Sequence, residues 1–397
     1  MRFTWFIARR IIGQRSHRSS VSGPIITIGI IAIALGVITM LIAIGTGVGL
    51  QNKIGQKVAA FSGHIRVTTL ENSQQQETLK PLEEAQTIQI TLQNQVNVSA
   101  VQSVAYVPGV ILNQNAFDGI VFKGIDDSFN PEFFSFFGDS EKISALGTQD
   151  IWISTDLANK LALSIGDRVP LYFASEETAM PKRRSCNVSG LFTTGFSDYD
   201  NTYVLGHLDI IRSLYGWDSN QVGAFELFLD NSSDLSAHSE RLYDSIDALV
   251  DVQHIEEQFP EIFNWIRLFG TNISLIIIIM IIVGGVNMIT ALLVLILEQT
   301  QLIGITRVMG ASVRSLQQLF LIQGGYLIGV GLFLGNLIGL GLLFIQKQTG
   351  IISLDPATYY VSQVPVYIDV TTVLWLNGLT LLICLALLVL PSLIIAR

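Results

Sequence analysis

A chain of 397 residues that is half apolar but only 14% charged, with a net charge of −9, is not composed like a soluble globule, where about a quarter of residues are charged. The missing charge is concentrated, because 19–52, 268–297, 315–346 and 370–396 contain no Asp, Glu, Lys or Arg. Each run exceeds the roughly 20 residues needed to cross a hydrocarbon core, and each is continuously apolar rather than alternating, so four membrane helices are expected and a membrane β-barrel is not.

Residues 1–24 carry Arg2, Arg9, Arg10, Arg15 and Arg18 and no acid, interleaved with Phe3, Trp5, Phe6, Ile7, Ile11 and Ile12. That mixture predicts an amphipathic helix lying in the membrane interface on the cytoplasmic side. The first span covers 25–50. Its apolar run is too long for a signal-peptide core and no A-x-A-like site follows it, so it is expected to remain as an anchor.

The segment 51–270 reads as one large α+β domain. Ile65–Thr69 is strand-like. Leu79–Asn94 has Leu82, Ala85, Ile88 and Leu92 at helical spacing, and predicts a helix. Strands are expected at 101–107 and 119–125, punctuated by Pro108–Gly109. A short helix at Thr155–Leu163, a turn at Gly166–Asp167 and a strand at Arg168–Phe173 follow. A polar excursion at 174–185 then precedes a strand at Cys186–Phe192. The excursion suggests a projecting hairpin whose tip carries Met180, Pro181, Lys182, Arg183 and Arg184, the one basic cluster on an acidic domain. On composition alone it reads as a solvated loop. His64, His207 and His254 are scattered singly. Cys186 and Cys384 fall in regions that cannot readily meet, and neither has metal-site spacing.

The remaining spans are expected at 271–297, 316–346 and 370–395, joined by 298–315 and 347–369. Charge sets the orientation. The segment 51–270 holds 14 Lys plus Arg against 29 Asp plus Glu, whereas 1–24 is purely basic and 298–315 carries Arg307 and Arg314 against Glu298. Both termini and 298–315 are therefore expected in the cytoplasm, with 51–270 and 347–369 exported. The third span holds Gly324, Gly325, Gly329, Gly331, Gly335, Gly339 and Gly341, several at small-xxx-small spacing that lets helices approach closely. The spans carry no charge, unlike ion pathways or proton relays. No G-x-x-x-x-G-K-[ST], H-E-x-x-H or G-x-S-x-G occurs, so no phosphate-cradling loop and no zinc or serine hydrolase site is expected.

The segment 298–315 is abruptly polar after 25 apolar residues and longer than an ordinary helix–helix connection. A short amphipathic helix is expected there, with Ile303, Val308 and Met309 on an apolar side suited to a groove in a soluble partner. Its run Glu298, Thr300, Ile303-Gly304-Ile305, Arg307, Gly310-Ala311 resembles the coupling helix of the permease subunits of type VII ABC transporters, the MacB/FtsX superfamily. Gln301-Leu302 stands where that family commonly has Arg-Glu. The opening Phe6-Ile7-Ala8-Arg9-Arg10 is similar to the family's N-terminal elbow helix. Ile151–Asp167, and Val188-Ser189-Gly190-Leu191-Phe192 with Gly195 and Asp198-Tyr199-Asp200, resemble its external domain, and Pro391-Ser392 its last span. The likeness is greatest to the LolC/LolE lipoprotein-releasing branch.

The resemblance implies a fold of four transmembrane α-helices plus a large α+β, MacB-like periplasmic domain between spans one and two. It implies a non-catalytic permease in the bacterial inner membrane that binds no cofactor, with ATP-Mg held by a separate LolD-like ATPase. The other implied partners are a second permease chain (identical or paralogous), a triacylated lipoprotein, membrane lipid and a LolA-like periplasmic carrier; no nucleic acid is expected. In its terms Glu298, Ile303, Gly304, Arg307, Gly310 and Ala311 couple to the ATPase. The hook Met180, Pro181, Lys182, Arg183 and Arg184 recruits the carrier. Ile42, Ile44, Val48, Phe263, Leu268, Phe269 and Ile273 wall an acyl-chain cavity. A MacB-like exporter and an FtsX-like regulator of an external cell-wall hydrolase remain alternatives.

Overall fold

The computed structural model describes residues 22–72, 77–113, 116–127, 129, 146–174, 180–231, 234–246 and 249–392. The expected interfacial helix, with the elbow residues Phe6 to Arg10, lies outside the described residues, as do 175–179 of the polar excursion. The chain divides into a helical unit (1–52, 265–353 and 363–397) and a sheet domain (53–264 and 354–362).

Among the described residues, four helices are long and apolar enough to cross a membrane: α1 (Ser22–Ser62), α8 (Pro260–Glu298), α10 (Val313–Thr349) and α12 (Val370–Ser392). The first three outrun the apolar stretches that announce them. An apolar run records membrane thickness, whereas a helix continues until its backbone is capped. Here Gly63 (φ 73°) ends α1, Ser312 caps the start of α10, and Gly350 (φ 59°) ends it.

Inside the helical unit the glycines of α10 sort by face. A Cβ added at Gly331, Gly335 or Gly339 would come within 2.8, 2.7 and 3.0 Å of Ile33, Val37 and Leu41, so α1 lies directly against that stripe. Gly324 instead faces Leu388 of α12, while Gly329 and Gly341 face nothing within 4 Å. Asn336 and Asn377 exchange two side-chain hydrogen bonds, at 2.6 and 3.0 Å, between α10 and α12. Each also donates to the carbonyl four residues back in its own helix, which keeps the amides satisfied in an apolar setting.

Among the described residues the sheet domain has nine strands: β1 (Ile65–Thr69), β2 (Val98–Asn113), β3 (Ala116–Ile125), β4 (Asp150–Ser154), β5 (Arg168–Phe173), β6 (Lys182–Phe192), β7 (Tyr203–His207), β8 (Ala224–Leu229) and β9 (Val250–His254). Pairing runs β3–β7–β4–β6–β5–β2 and returns to β3, so six strands close a ring. The N-terminal half of β2 carries an antiparallel extension, β8–β1–β9. Among the described residues the sheet domain also carries the short helices α2 (Ala85–Gln93), α3 (Thr155–Leu161), α4 (Ser197–Thr202), α5 (Leu208–Tyr215), α6 (Leu235–Ser245), α7 (Ile255–Gln258) and α11 (Pro356–Tyr359).

Three local expectations are corrected. Pro108–Gly109 does not punctuate two segments but lies inside the 16-residue β2. The backbone groups of Val104 and Tyr106 on the same edge bond to Gly223 and Thr78. Pro108 then falls between the β8 pairing, which ends at Val104, and the β5 pairing, which starts at Gly109, so its missing N–H costs no ladder bond. The helix expected at Leu79–Asn94 starts only at Ala85. Pro81 restrains the preceding chain, and Leu82 donates its N–H to Val222 before burying its side chain. The helix at Thr155 stops at Leu161, where Ala162 turns left-handed and Leu163 N–H closes on Ala158.

Candidate functional site

The segment after α8 forms α9 (Thr300–Val308). Arg307 accepts from Gly310 N–H and Thr306 from Ala311 N–H, with Gly310 at φ 94°. This is a Schellman closure, for which a residue free of Cβ strain is needed at position 310. Gly310 and Ala311 therefore end the helix. Ile303 turns inward, packing against the core of the bundle. The outward apolar face is instead Ile305, Val308 and Met309, the last two 90% and 81% exposed. The expected apolar side thus keeps Val308 and Met309, loses Ile303 and gains Ile305. Glu298 closes α8, and Glu298, Gly304 and Arg307 are all exposed. A Cβ on Gly304 would meet nothing within 4 Å.

The seven expected cavity residues do not share one wall. Successive helical residues are about 100° apart, so neighbours on α1 look in different directions. Ile44 and Val48 line a cleft with Leu41, Leu343, Tyr367 and Leu376, on the α10 and α12 side. Ile273 of α8 instead meets α1 at Gly47, where an added Cβ would lie 2.3 Å from its Cδ1. Ile42 packs against the bundle core, Leu268 is exposed, and Phe269 meets the edge of Trp265 at 4.6 Å between ring centroids. Phe263 belongs to the sheet domain.

The basic cluster is corrected as well. Lys182, Arg183 and Arg184 are not at a tip; they pair with Phe173, Tyr172 and Leu171 as the first residues of β6. Lys182 Nζ donates to the Leu214 carbonyl at 2.7 Å, and Arg184 to the Ser213 carbonyl and hydroxyl. Both thereby satisfy carbonyls in the last turn of α5, where a helix favours cations. Arg183 lies over the Tyr172 ring. Met180 and Pro181, just ahead of the strand, are exposed.

Residues mostly unremarked in the sequence (Phe61, Tyr106, Lys123, Tyr203 and Glu226), joined by Tyr199 and Asp200, surround the end of α1 in the sheet domain. Phe61 lies 4.7 Å from Tyr199 and 4.9 Å from Tyr203 between ring centroids. Lys123 of β3 is fully buried and donates to the Phe61 carbonyl and, at 2.9 Å, to both carboxylate oxygens of Glu226 on β8. Tyr106 donates its hydroxyl to the same carboxylate. Burial pulls the Lys123 ammonium below its ordinary range, opposed by Glu226, and burial pushes the Tyr106 phenol well up, with Glu226 adding to it. Buried Asp200 accepts from Thr194 N–H, Thr194 Oγ1 and Gly195 N–H at 2.8–2.9 Å. Burial raises its carboxyl and those three bonds oppose the rise. The signal was a lone Lys in Gly119–Ile125 and a lone Glu in Ala224–Leu229, strands otherwise built of apolar residues.

The sequence profile of the MacB-like periplasmic core domain matches residues 25–244, and that of the FtsX-like permease C-terminal region matches 274–397. A lipoprotein-releasing system transmembrane protein LolC from Neisseria meningitidis serogroup B is 22% identical over 373 residues, 90% of this chain and 88% of that one. One from Haemophilus influenzae is 23% identical over 333 residues, 81% of this chain and 79% of that one. Among solved structures, the periplasmic region of MacB from Actinobacillus actinomycetemcomitans aligns with 11% identity and a TM-score of 0.34, covering 50% of this chain and 92% of that one. With the first profile alone spanning more than half of its length, the chain belongs to the MacB/FtsX superfamily of ABC-transporter permeases.

Proposed function

We propose that the chain is the permease of an ATP-driven complex that lifts acylated lipoproteins from the inner membrane and passes them to a periplasmic carrier. The relatives named as lipoprotein-releasing proteins, matched along 90% and 81% of the chain, support this substrate class. In this reading α9 and both termini are cytoplasmic, the sheet domain is periplasmic, and the complex holds two permease chains and two ATPase subunits. ATP-Mg belongs to the ATPase.

The observation that carries the coupling role is α9 itself. Ile305, Val308 and Met309 form an exposed apolar face on a nine-residue helix beside an open Gly304. A glycine inside a helix costs about 0.5–1 kcal/mol relative to alanine, and among the described residues none crowds the place of a Cβ at Gly304. A close approach by the ATPase subunit gives it a reason. ATP-driven closure of the ATPase pair would move α9, and the spans would carry that motion to the sheet domain. The substrate demands such an arrangement. At about 0.8 kcal/mol per buried CH₂, one long acyl chain costs on the order of 10 kcal/mol to expose to water, so it must be passed between apolar shelters.

The test is reconstitution in proteoliposomes with the ATPase, a triacylated lipoprotein and the carrier. Val308→Asp and Gly304→Leu should each lower ATP-dependent release at least about tenfold, the equivalent of roughly 1.4 kcal/mol of lost coupling. Wild-type release by both variants would remove α9 from the coupling path. Absence of lipoprotein release from the wild-type complex, with intact ATPase coupling, would reject the substrate class.

A further inference from the structure

The segment 354–362 lies between spans α10 and α12 in the sequence, yet it packs as part of the sheet domain. Leu354 N–H donates to the Ser362 carbonyl and pinches the segment into a closed loop. The residue that holds this loop is Lys57, in the last turns of α1. Its Nζ donates to the Tyr360 carbonyl at 3.0 Å and to the Thr194 carbonyl at 3.0 Å. One ammonium group thus joins three segments that are distant in sequence. The Tyr360 ring stacks on Phe196 at 4.7 Å and 20°, and Phe196 stacks in turn on Tyr199, which touches Phe61 near the end of α1. Lys57 Nζ also lies 5.8 Å from the centre of the Phe196 ring.

Two backbone features are fitted to this contact. Tyr360 adopts φ 60°, a left-handed conformation that a bulky residue avoids unless its surroundings enforce it. Gly195 has φ 75°, and a Cβ there would sit 3.3 Å from Lys57 Nζ. The carboxylate of Asp200 fixes the Thr194–Gly195 turn that presents the second carbonyl.

We infer that Lys57 is a positioning residue that fastens the α10–α12 loop to the sheet domain, so that motion of spans three and four reaches the domain through Thr194 as well as along spans one and two. This rests on the ATP-driven permease reading above. Both ends of 354–362 return to the helical unit, so the loop is a second excursion of the chain into the domain, and Lys57 fastens it there.

The test is hydrogen exchange on the full permease in nanodiscs with its ATPase subunit, with and without ATP-Mg and without lipoprotein. In the wild type, ATP should change protection of 193–200 and 354–362 together. Lys57→Met should raise exchange of 354–362 about tenfold and abolish the ATP-dependent change at 193–200, with the ATPase rate within about twofold of wild type. Lys57→Arg, which keeps a cationic donor, should restore the coupled change. A Lys57→Met chain that keeps the full ATP response at 193–200 overturns the inference, as does a wild type with no ATP response there. Lys57-dependent coupling in a wild-type complex that releases no lipoprotein rejects the substrate class alone.

Discussion

Lys123 Nζ and the carboxylate of Glu226 lie 2.9 Å apart where neither side chain reaches solvent, and the ammonium also holds the carbonyl of Phe61, next to last in α1. The pair links β3, β8 and the end of the first span in one contact. Removing either partner leaves the other charge buried alone, a cost of about 3–5 kcal/mol, whereas removing both leaves no unpaired charge, only the Tyr106 hydroxyl and the Phe61 carbonyl without their partners, and costs less. Lys123→Met and Glu226→Leu should therefore each lower the unfolding midpoint of the sheet domain strongly, and the Lys123→Met/Glu226→Leu double variant should lose clearly less than the sum of the two. Protease resistance against temperature in nanodiscs reads this; additive losses in the double variant would refute the pairing.

A second prediction concerns pH. His64 follows α1 directly, accepts the Leu229 N–H at its Nδ1 (3.1 Å), and burial holds its pKa below 6.5. The unfolded chain then takes up a proton near pH 6.5 that the folded imidazole refuses. Between that pH and the lower folded pKa the unfolded state binds more protons, so stability falls as pH falls, and the loss stops growing below the folded pKa. His64→Gln, which keeps an acceptor but cannot titrate, should remove this part of the acid sensitivity. Identical wild-type and variant midpoints from pH 7.5 to 5 would exclude His64 as the source.

What the sequence made legible is uneven for physical reasons. The four spans were readable because charge is forbidden over a whole membrane thickness, and β5 was readable to the residue because its turn and alternation are local. The closed ring was not readable, since it depends on β3–β7 and β4–β6 pairings far apart in sequence. Pro108 misled because its edge of β2 happens to be unpaired at that position. A short helix was expected within 298–315 and forms at Thr300–Val308, but Ile303 packs inward, because five residues of helix set it about 140° from Val308, a separation that apolar composition alone does not reveal. Lys57 and Asn336–Asn377 went unnoticed, since single polar residues gain meaning only from partners that folding brings to them.

The glycine stripe gives a third prediction with an internal control. Gly335 touches α1 so closely that a Cβ would lie 2.7 Å from Val37 Cβ and 2.9 Å from the Ala34 carbonyl oxygen, while Gly341 on the same helix faces open space. Backbone and branched carbons cannot swing aside, so Gly335→Ala must push the helices apart, at about 1–3 kcal/mol. Gly341→Ala should be neutral or slightly stabilising, because alanine is the better helix former. Thermal aggregation of the purified chain in detergent compares them. Equal midpoints would mean that α1 and α10 do not meet along this face.

The fourth prediction separates recognition from architecture in the β5–β6 hairpin. Deleting the whole basic segment would be uninformative, because Lys182 and Arg184 tie β6 to the end of α5, and their loss harms the domain whatever binds to it. Met180 and Pro181 are exposed and precede the strand, so they can be changed without breaking a ladder bond. If this edge receives a periplasmic carrier, Met180→Ser/Pro181→Ser should weaken capture of that carrier at least about tenfold with an unchanged unfolding midpoint, since apolar anchors at the centre of an interface carry most of its energy. Lys182→Ala and Arg184→Ala should do the reverse, lowering the midpoint by up to about 1.5–3 kcal/mol for the half-buried Lys182 and by about 1 kcal/mol or less for the exposed Arg184, with little direct effect on capture by the folded fraction. Carrier capture that survives the Met180/Pro181 double change but tracks the Arg183→Ala variant would shift the contact from Met180 and Pro181 to Arg183, which lies over the Tyr172 ring.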